Sequence, residues 1–290
     1  MKSRLIWYSA AIVGTCMTAT LGMFVREISP GNDFAITFGR FAVGFICLAS
    51  LRLPTRKDQG ERNIRLSWAL IGAGIAMPLF VVCYIKAILA GTFASAAFLL
   101  YVGPLIASLL AAVWVGEGFT RLNGLLLGGA LLGTLLITEF KLPQESEQVE
   151  SLVYGLLSGV FYGLFLFLNN SKVQGQAASL TSTFYQFLCA ALVMLPLVII
   201  AGVNLTRDDL FWIAAIGIIH GFVALTLMIA SLGHLKTIEY GTISYGEPVV
   251  AALIGVVGYH ESLTALQIIG CCAVFVAGIM RVFIKETPST

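Results

Sequence analysis

Residues 87–137 read AILAGTFASAAFLLYVGPLIASLLAAVWVGEGFTRLNGLLLGGALLGTLLI, and residues 231–280 read SLGHLKTIEYGTISYGEPVVAALIGVVGYHESLTALQIIGCCAVFVAGIM. Aligning Pro104 with Pro248 sets a shift of 144 residues, and the same shift carries Glu117 onto Glu261 and Thr120 onto Thr264. Each copy holds a proline inside an apolar run, a glutamate thirteen residues on, a threonine, and a second apolar run. Both runs can cross a bilayer, and a duplicated membrane unit reads first as a transporter.

Composition supports a membrane setting. Of 290 residues, 58% are hydrophobic and only 11% charged, with a mean hydropathy of +0.93. Soluble domains carry roughly 25% charged residues, so most of this chain must face lipid or its own helices. A net charge of +2 offers no field for nucleic acid. Cys16, Cys47, Cys83, Cys189, Cys271 and Cys272 all fall in apolar runs without metal-ligand spacing to histidine, and read as small apolar packers. No metal and no cofactor are called for. Lys2 and Arg4 precede the first apolar run as in a signal peptide, but no small-residue cleavage site follows, so the run reads as a retained span.

A span needs ~20 apolar residues. Ten runs qualify: Leu5–Val25, Phe34–Leu53, Leu66–Leu89, Phe93–Val115, Leu122–Thr138, Leu152–Asn169, Ser179–Ala201, Leu210–Ser231, Ile238–Tyr259 and Thr264–Ile284. Continuous rather than alternating hydrophobicity makes them helices, not barrel strands. The expectation is an all-α membrane protein of two five-helix units, 1–140 and 151–290, joined by an outer connector at 141–150. With the N-terminus inside, only Arg26, Lys86, Lys141 and Arg207 fall on outer ends or loops, and Arg40 lies within the second span. The other twelve of the 17 Lys and Arg residues are then inside. Both termini are therefore expected in the cytoplasm, with the chain in the cytoplasmic membrane. Five spans per unit is odd, so the second unit enters upside down. Such inverted repeats can exchange roles around one central site.

The candidate site residues follow from depth. Pro104 in Tyr101-Val102-Gly103-Pro104 and Pro248 in Tyr245-Gly246-Glu247-Pro248 each remove a backbone hydrogen bond mid-membrane. The expected result is a kink that lines a cavity, flexes as a gate, or only shapes packing. Pro78 and Pro196 are further kinks without partners at the repeat shift. Glu247 lies halfway along the ninth span, where a charge costs ~2.5–3.5 kcal/mol. It should face inward as a protonation or amine-binding site, or as a neutral acid bonded to carbonyls freed by Pro248. His220 shares its depth, and the pair is expected within hydrogen-bond or water-bridged reach. Their repeat mates are Gly103 and Ala76, so the polar pair exists in one half only. Arg40 is expected to snorkel, pair with an acid, or gate. Thr15, Thr18, Tyr84, Tyr101, Tyr162 and Tyr245 are candidates for lining a cavity that takes an amphipathic substrate. Glu117 and Glu261 are expected to cap the helices that follow them. The small residues of the fifth span (Gly124, Gly128, Gly129, Gly133) and of the tenth (Gly270, Ala273, Ala277, Gly278) mark close helix contact, internal or between two copies.

Several of these features resemble the EamA-type members of the drug/metabolite transporter superfamily: ten short spans in a five-plus-five repeat, Gly39-Arg40-Phe41 opening the second span, Pro104 with Gly116-Glu117, and Glu247-Pro248 with Glu261. His260 departs from the pattern, standing where many members have glycine. The resemblance implies a helical basket around a central cavity lined by the first, third, fourth, sixth, eighth and ninth spans. It also implies secondary transport of small metabolites, with exporters of amino acids, the aromatic ones included, as the nearest functional image. Uptake of a carboxylate or nucleoside-like solute is the alternative within the fold, and the protein is expected to act as a monomer or homodimer. An ATP-driven mechanism is not indicated, because there is no phosphate-binding loop motif. A membrane-embedded enzyme would need a cluster of catalytic side chains, and the chain has only three histidines, His220, His234 and His260.

Overall fold

The computed structural model describes residues 2–25, 27–29, 31–52, 67–90, 93–139, 146–175, 180–260 and 262–283. Among these residues the structure is helical throughout, with no strand. Nine helical stretches are long and apolar enough to cross a membrane: Arg4–Val25, Asp33–Leu51, Trp68–Ala87, Ala96–Val115, Arg121–Thr138, Val149–Leu168, Leu180–Ala201, Arg207–Leu232 and Thr237–Gly258. The shorter apolar stretch Ala265–Met280 is the tenth. The helix of the sixth span begins at Ser146, inside the segment 141–150.

The fourth and ninth spans are each two helices rather than one kinked helix. The fourth is Phe93–Leu100 followed by Gly103–Val115, and the ninth is Thr237–Ser244 followed by Gly246–Tyr259. The expected kink is thus a break placed ahead of each proline. Pro104 and Pro248 then sit in the first turn of a new helix, where a missing N–H costs nothing. The two breaks meet: the Tyr245 hydroxyl donates to the Tyr101 carbonyl at 2.8 Å, and the two rings lie 5.9 Å apart. Repeat mates therefore touch one another at the centre. A third irregularity is a π-helical turn, Gly217–Ala224, inside the eighth span. Pro78 and Pro196 lie inside otherwise continuous helices.

Small residues set the closest approaches. A Cβ at Gly133 would lie 2.8 Å from the Gly270 carbonyl, so the fifth and tenth spans pack on each other, while Gly128, Gly129 and Gly278 face open space. Gly221 lies directly against the Arg40 carbonyl, pressing the eighth span onto the second. Local caps follow the repeat. Thr120 accepts from the Asn123 N–H at 3.2 Å, and Thr264 from the Gln267 N–H at 3.3 Å. Gly116 (φ 66°) and its mate His260 (φ 54°) end their helices in the left-handed conformation.

Glu117 does not cap the helix that follows it; Thr120 has that role. Its carboxylate instead accepts from the Thr237 N–H at 3.0 Å and from the Asn170 amide, capping the ninth span from the other repeat. Burial pushes the Glu117 carboxyl above the usual carboxylate range, against the pull of these two donors and of Lys172 and Lys236. Beside it, buried Glu239 accepts from Tyr8 at 2.7 Å and pairs with Arg4 at 2.9 Å. These contacts latch the two halves together on the face that carries the N-terminus. Glu261 lies outside the described residues.

Candidate functional site at the helix breaks

Glu247 enters from the first turn of the helix that follows the ninth-span break, where the helix dipole favours negative charge. Thr18 Oγ1 lies 3.0 Å from Glu247 Oε2, and the Tyr101 hydroxyl reaches the same carboxylate. Thr18 Oγ1 is also 2.9 Å from the Thr15 carbonyl. A hydroxyl has one proton to give. A protonated Glu247 donates to Thr18, which donates to Thr15, and every group is matched. An ionised Glu247 makes Thr18 choose between two acceptors. Tyr101, Tyr162, Tyr240 and Tyr245 are each at most 3% exposed, whereas Glu247, Thr18 and Tyr84 keep accessible surface at depth.

His220 sits in the π-helical turn, with Nε2 3.0 Å from Thr20 Oγ1 and its ring edge-on to Phe24. Thr20 gives its proton to the Met17 carbonyl at 2.8 Å, so His220 donates from Nε2 and its Nδ1 is a bare acceptor. That Nδ1 is buried without a partner. Arg40 is 6% exposed, and its Nη2 donates to the His220 carbonyl at 3.3 Å. Arg40 therefore neither snorkels nor joins an ion pair among the described residues. The π turn explains the contact, because i→i+5 bonding shifts carbonyls out of the α-helical ladder.

The structure thus brings Thr18, Tyr101 and Glu247 into one cluster, with Tyr84 and Tyr162 in electrostatic reach of the acid. It does not join His220 to Glu247. Each bonds a different threonine of the first span, and no contact between them is made. Tyr245 is wholly buried and holds the break together. Pro104 packs on Gly241 of the ninth span, 3.2 Å from where a Cβ would stand. Sequence reasoning missed Thr20 and Tyr240, which lie on the same helices at neighbouring depths. Clefts of about 200 and 160 Å³ are peripheral, and neither touches Glu247.

The profile of the EamA-like transporter family matches residues 5–139 and again residues 150–283. The chain belongs to this family. An uncharacterised transporter of Archaeoglobus fulgidus is 26% identical over 272 residues, 94% of each chain. The pseudopaline exporter CntI of Pseudomonas aeruginosa is 27% identical over 189 residues, 64% of each chain. A crystal structure overlays 97% of both chains with a TM-score of 0.79 at 18% identity, a likeness of fold. This EamA-type protein is accordingly a multi-pass membrane transporter.

Within the EamA repeat, one glycine explains why the acid stands in one half only. Gly103 is the mate of Glu247, and a Cβ there would lie 2.8 Å from the Gly159 carbonyl and 3.0 Å from the Gly163 nitrogen. The fourth and sixth spans meet backbone to backbone and leave no room for a side chain. Their counterparts, the ninth and first spans, meet through Gly246 and Thr15 at an ordinary 3.9 Å. The polar site therefore lies between the first and ninth spans.

Proposed function

We propose that this EamA-type protein is a secondary transporter that exports small amphipathic metabolites, amino acids foremost, across the cytoplasmic membrane by alternating access. In this reading both termini lie in the cytoplasm, and transport is the protein's whole activity, with no bond made or broken. The observation that carries it is the Glu247 carboxylate. It lies at depth, at the junction of the two broken helices, bonded to hydroxyls and to no basic side chain among the described residues. An acid so placed binds a proton or an amine. The tyrosines around it give an apolar wall with polar tips. Similarity to a named exporter supports the direction.

The test is flux from proteoliposomes loaded with mixed amino acids, read by mass spectrometry with and without an imposed pH gradient. Selective movement that follows the gradient is expected, and Glu247→Gln should abolish the gradient response while the variant still purifies as folded protein. Wild-type flux from that variant across a pH series would make Glu247 structural. No movement of any amino acid would end the substrate reading.

A further inference from the structure

We propose that Arg40 is the residue that recognises a carboxylate on the transported solute, presented to the central site by the π-helical turn of the eighth span. The inference rests on the amino acid reading above and adds the group that would select for the acid.

Arg40 is 94% buried, and its Nε has no hydrogen-bond partner. Its guanidinium makes one bond, to the His220 carbonyl, and no ion pair among the described residues. A buried guanidinium is a fork of five donors that matches a carboxylate. Left without an anion, it is costly to keep. The acid acting on it is Glu247, which stands beyond ion-pair distance with hydroxyl partners of its own. Two features hold them apart. Thr18 and Tyr101 anchor Glu247, and the His220 carbonyl anchors Arg40. Gly221 lets the eighth span press against the Arg40 backbone, so that carbonyl is within the side chain's reach.

The unmatched atoms specify a ligand. Arg40 Nε is a donor in want of an acceptor, and His220 Nδ1 is an acceptor in want of a donor. Thr226 Oγ1, also buried and unpartnered, can serve either way. Arg40 thus asks for an anionic group, and the Glu247 carboxylate for a proton or an N–H-bearing group. A free α-amino acid supplies both; its methyl ester supplies only the amine. If Arg40 were a structural counter-charge to Glu247, the two would be paired.

The experiment is efflux of the free amino acids and of their methyl esters from proteoliposomes, by wild type, Arg40→Gln and Arg40→Lys. Losing a charge-assisted bond should cost about tenfold or more. Wild type is expected to move acids at least about tenfold faster than esters. Arg40→Gln should bring that ratio near one, and Arg40→Lys should fall between, because a point charge replaces a planar fork. Acids and esters moved equally by wild type would overturn the proposal without any variant. An unchanged ratio in Arg40→Gln would overturn it while leaving amino acid transport standing. Should Arg40→Gln not fold, Arg40→Lys decides: a lowered ratio supports the proposal and an unchanged one ends it. Wild type that moves no amino acid at all fails the functional reading itself.

Discussion

His260 shows what one residue records. It closes its helix at φ 54°, in the place where the first repeat has Gly116 at φ 66°. The left-handed conformation costs a residue with a Cβ about 1–2 kcal/mol, and glycine almost nothing. The side chain is exposed, so little packing offsets that strain. His260→Gly should therefore stabilise the protein by about 1 kcal/mol, read as a thermal midpoint in detergent some ~2–4 °C higher; an unchanged or lower midpoint would show that the histidine makes a contact worth the strain. The departure of His260 from the repeat was legible in the sequence, but its backbone conformation was not. Glu247 was more legible, because a charge in a mid-membrane run must face inward whatever its neighbours. Its partner was not. Depth alone suggested His220, and the structure supplied Thr18, because depth along a helix says nothing about which way round the helix a side chain points.

At the scale of elements, local patterns succeeded where their physics is local. Thr120 and Thr264 cap the helices they precede, and the expected kinks at Pro104 and Pro248 prove to be breaks that leave each proline of that pair in the first turn of a helix. The π turn at Gly217–Ala224 has no residue that announces it, since it arises from how the eighth span packs on the second. Glu117 was misread for the same reason: its helix lies in the other repeat, 120 residues away. That long-range cap yields a prediction. Glu117→Ala leaves the Thr237 N–H without its acceptor and takes one of the two acceptors of the Asn170 amide, the other being the Thr237 hydroxyl, at a cost of about 1–3 kcal/mol to the latched form. In a background lacking the native cysteines, Ser244→Cys lies just beyond the latch, buried at 1% exposure. Its labelling by an impermeant maleimide from the N-terminal face should quicken about tenfold in Glu117→Ala. Burial raises the Glu117 carboxyl, so its support for the latch is full below the usual carboxylate range and fades as pH rises through the raised value. The alanine variant should be fast, its rate rising with pH only as the thiol itself ionises, and labelling with Glu117 present should climb more steeply, closing the gap between the two as pH rises. Equal rates with and without Glu117 would show that the contact closes nothing.

The whole molecule is where the sequence spoke most fully, because the bilayer constrains it most. Ten spans and a doubled unit leave an odd number of crossings per half, so inversion follows by counting. The structure adds that the halves are unequal. Gly103 fills its niche with backbone while Glu247 stands in the matching one, which leaves this buried acid in one of two similar units. Alternating access needs that arrangement: one site, and two ends that can close in turn. Charge gives the expectation for which end faces the cytoplasm. Twelve of the 17 lysines and arginines fall on the side of the N-terminus, and four on the other. Basic loops resist translocation, so that side is expected in the cytoplasm. Reporters that work only in the cytoplasm, fused separately to each terminus, should both be active, and one inserted at 141–145 should be silent. Activity at 141–145 with silence at both termini would invert the whole molecule and turn the latched face outward, making the Glu117 contact an outer gate. Activity at one terminus alone would mean an odd number of crossings and would dissolve the inverted repeat.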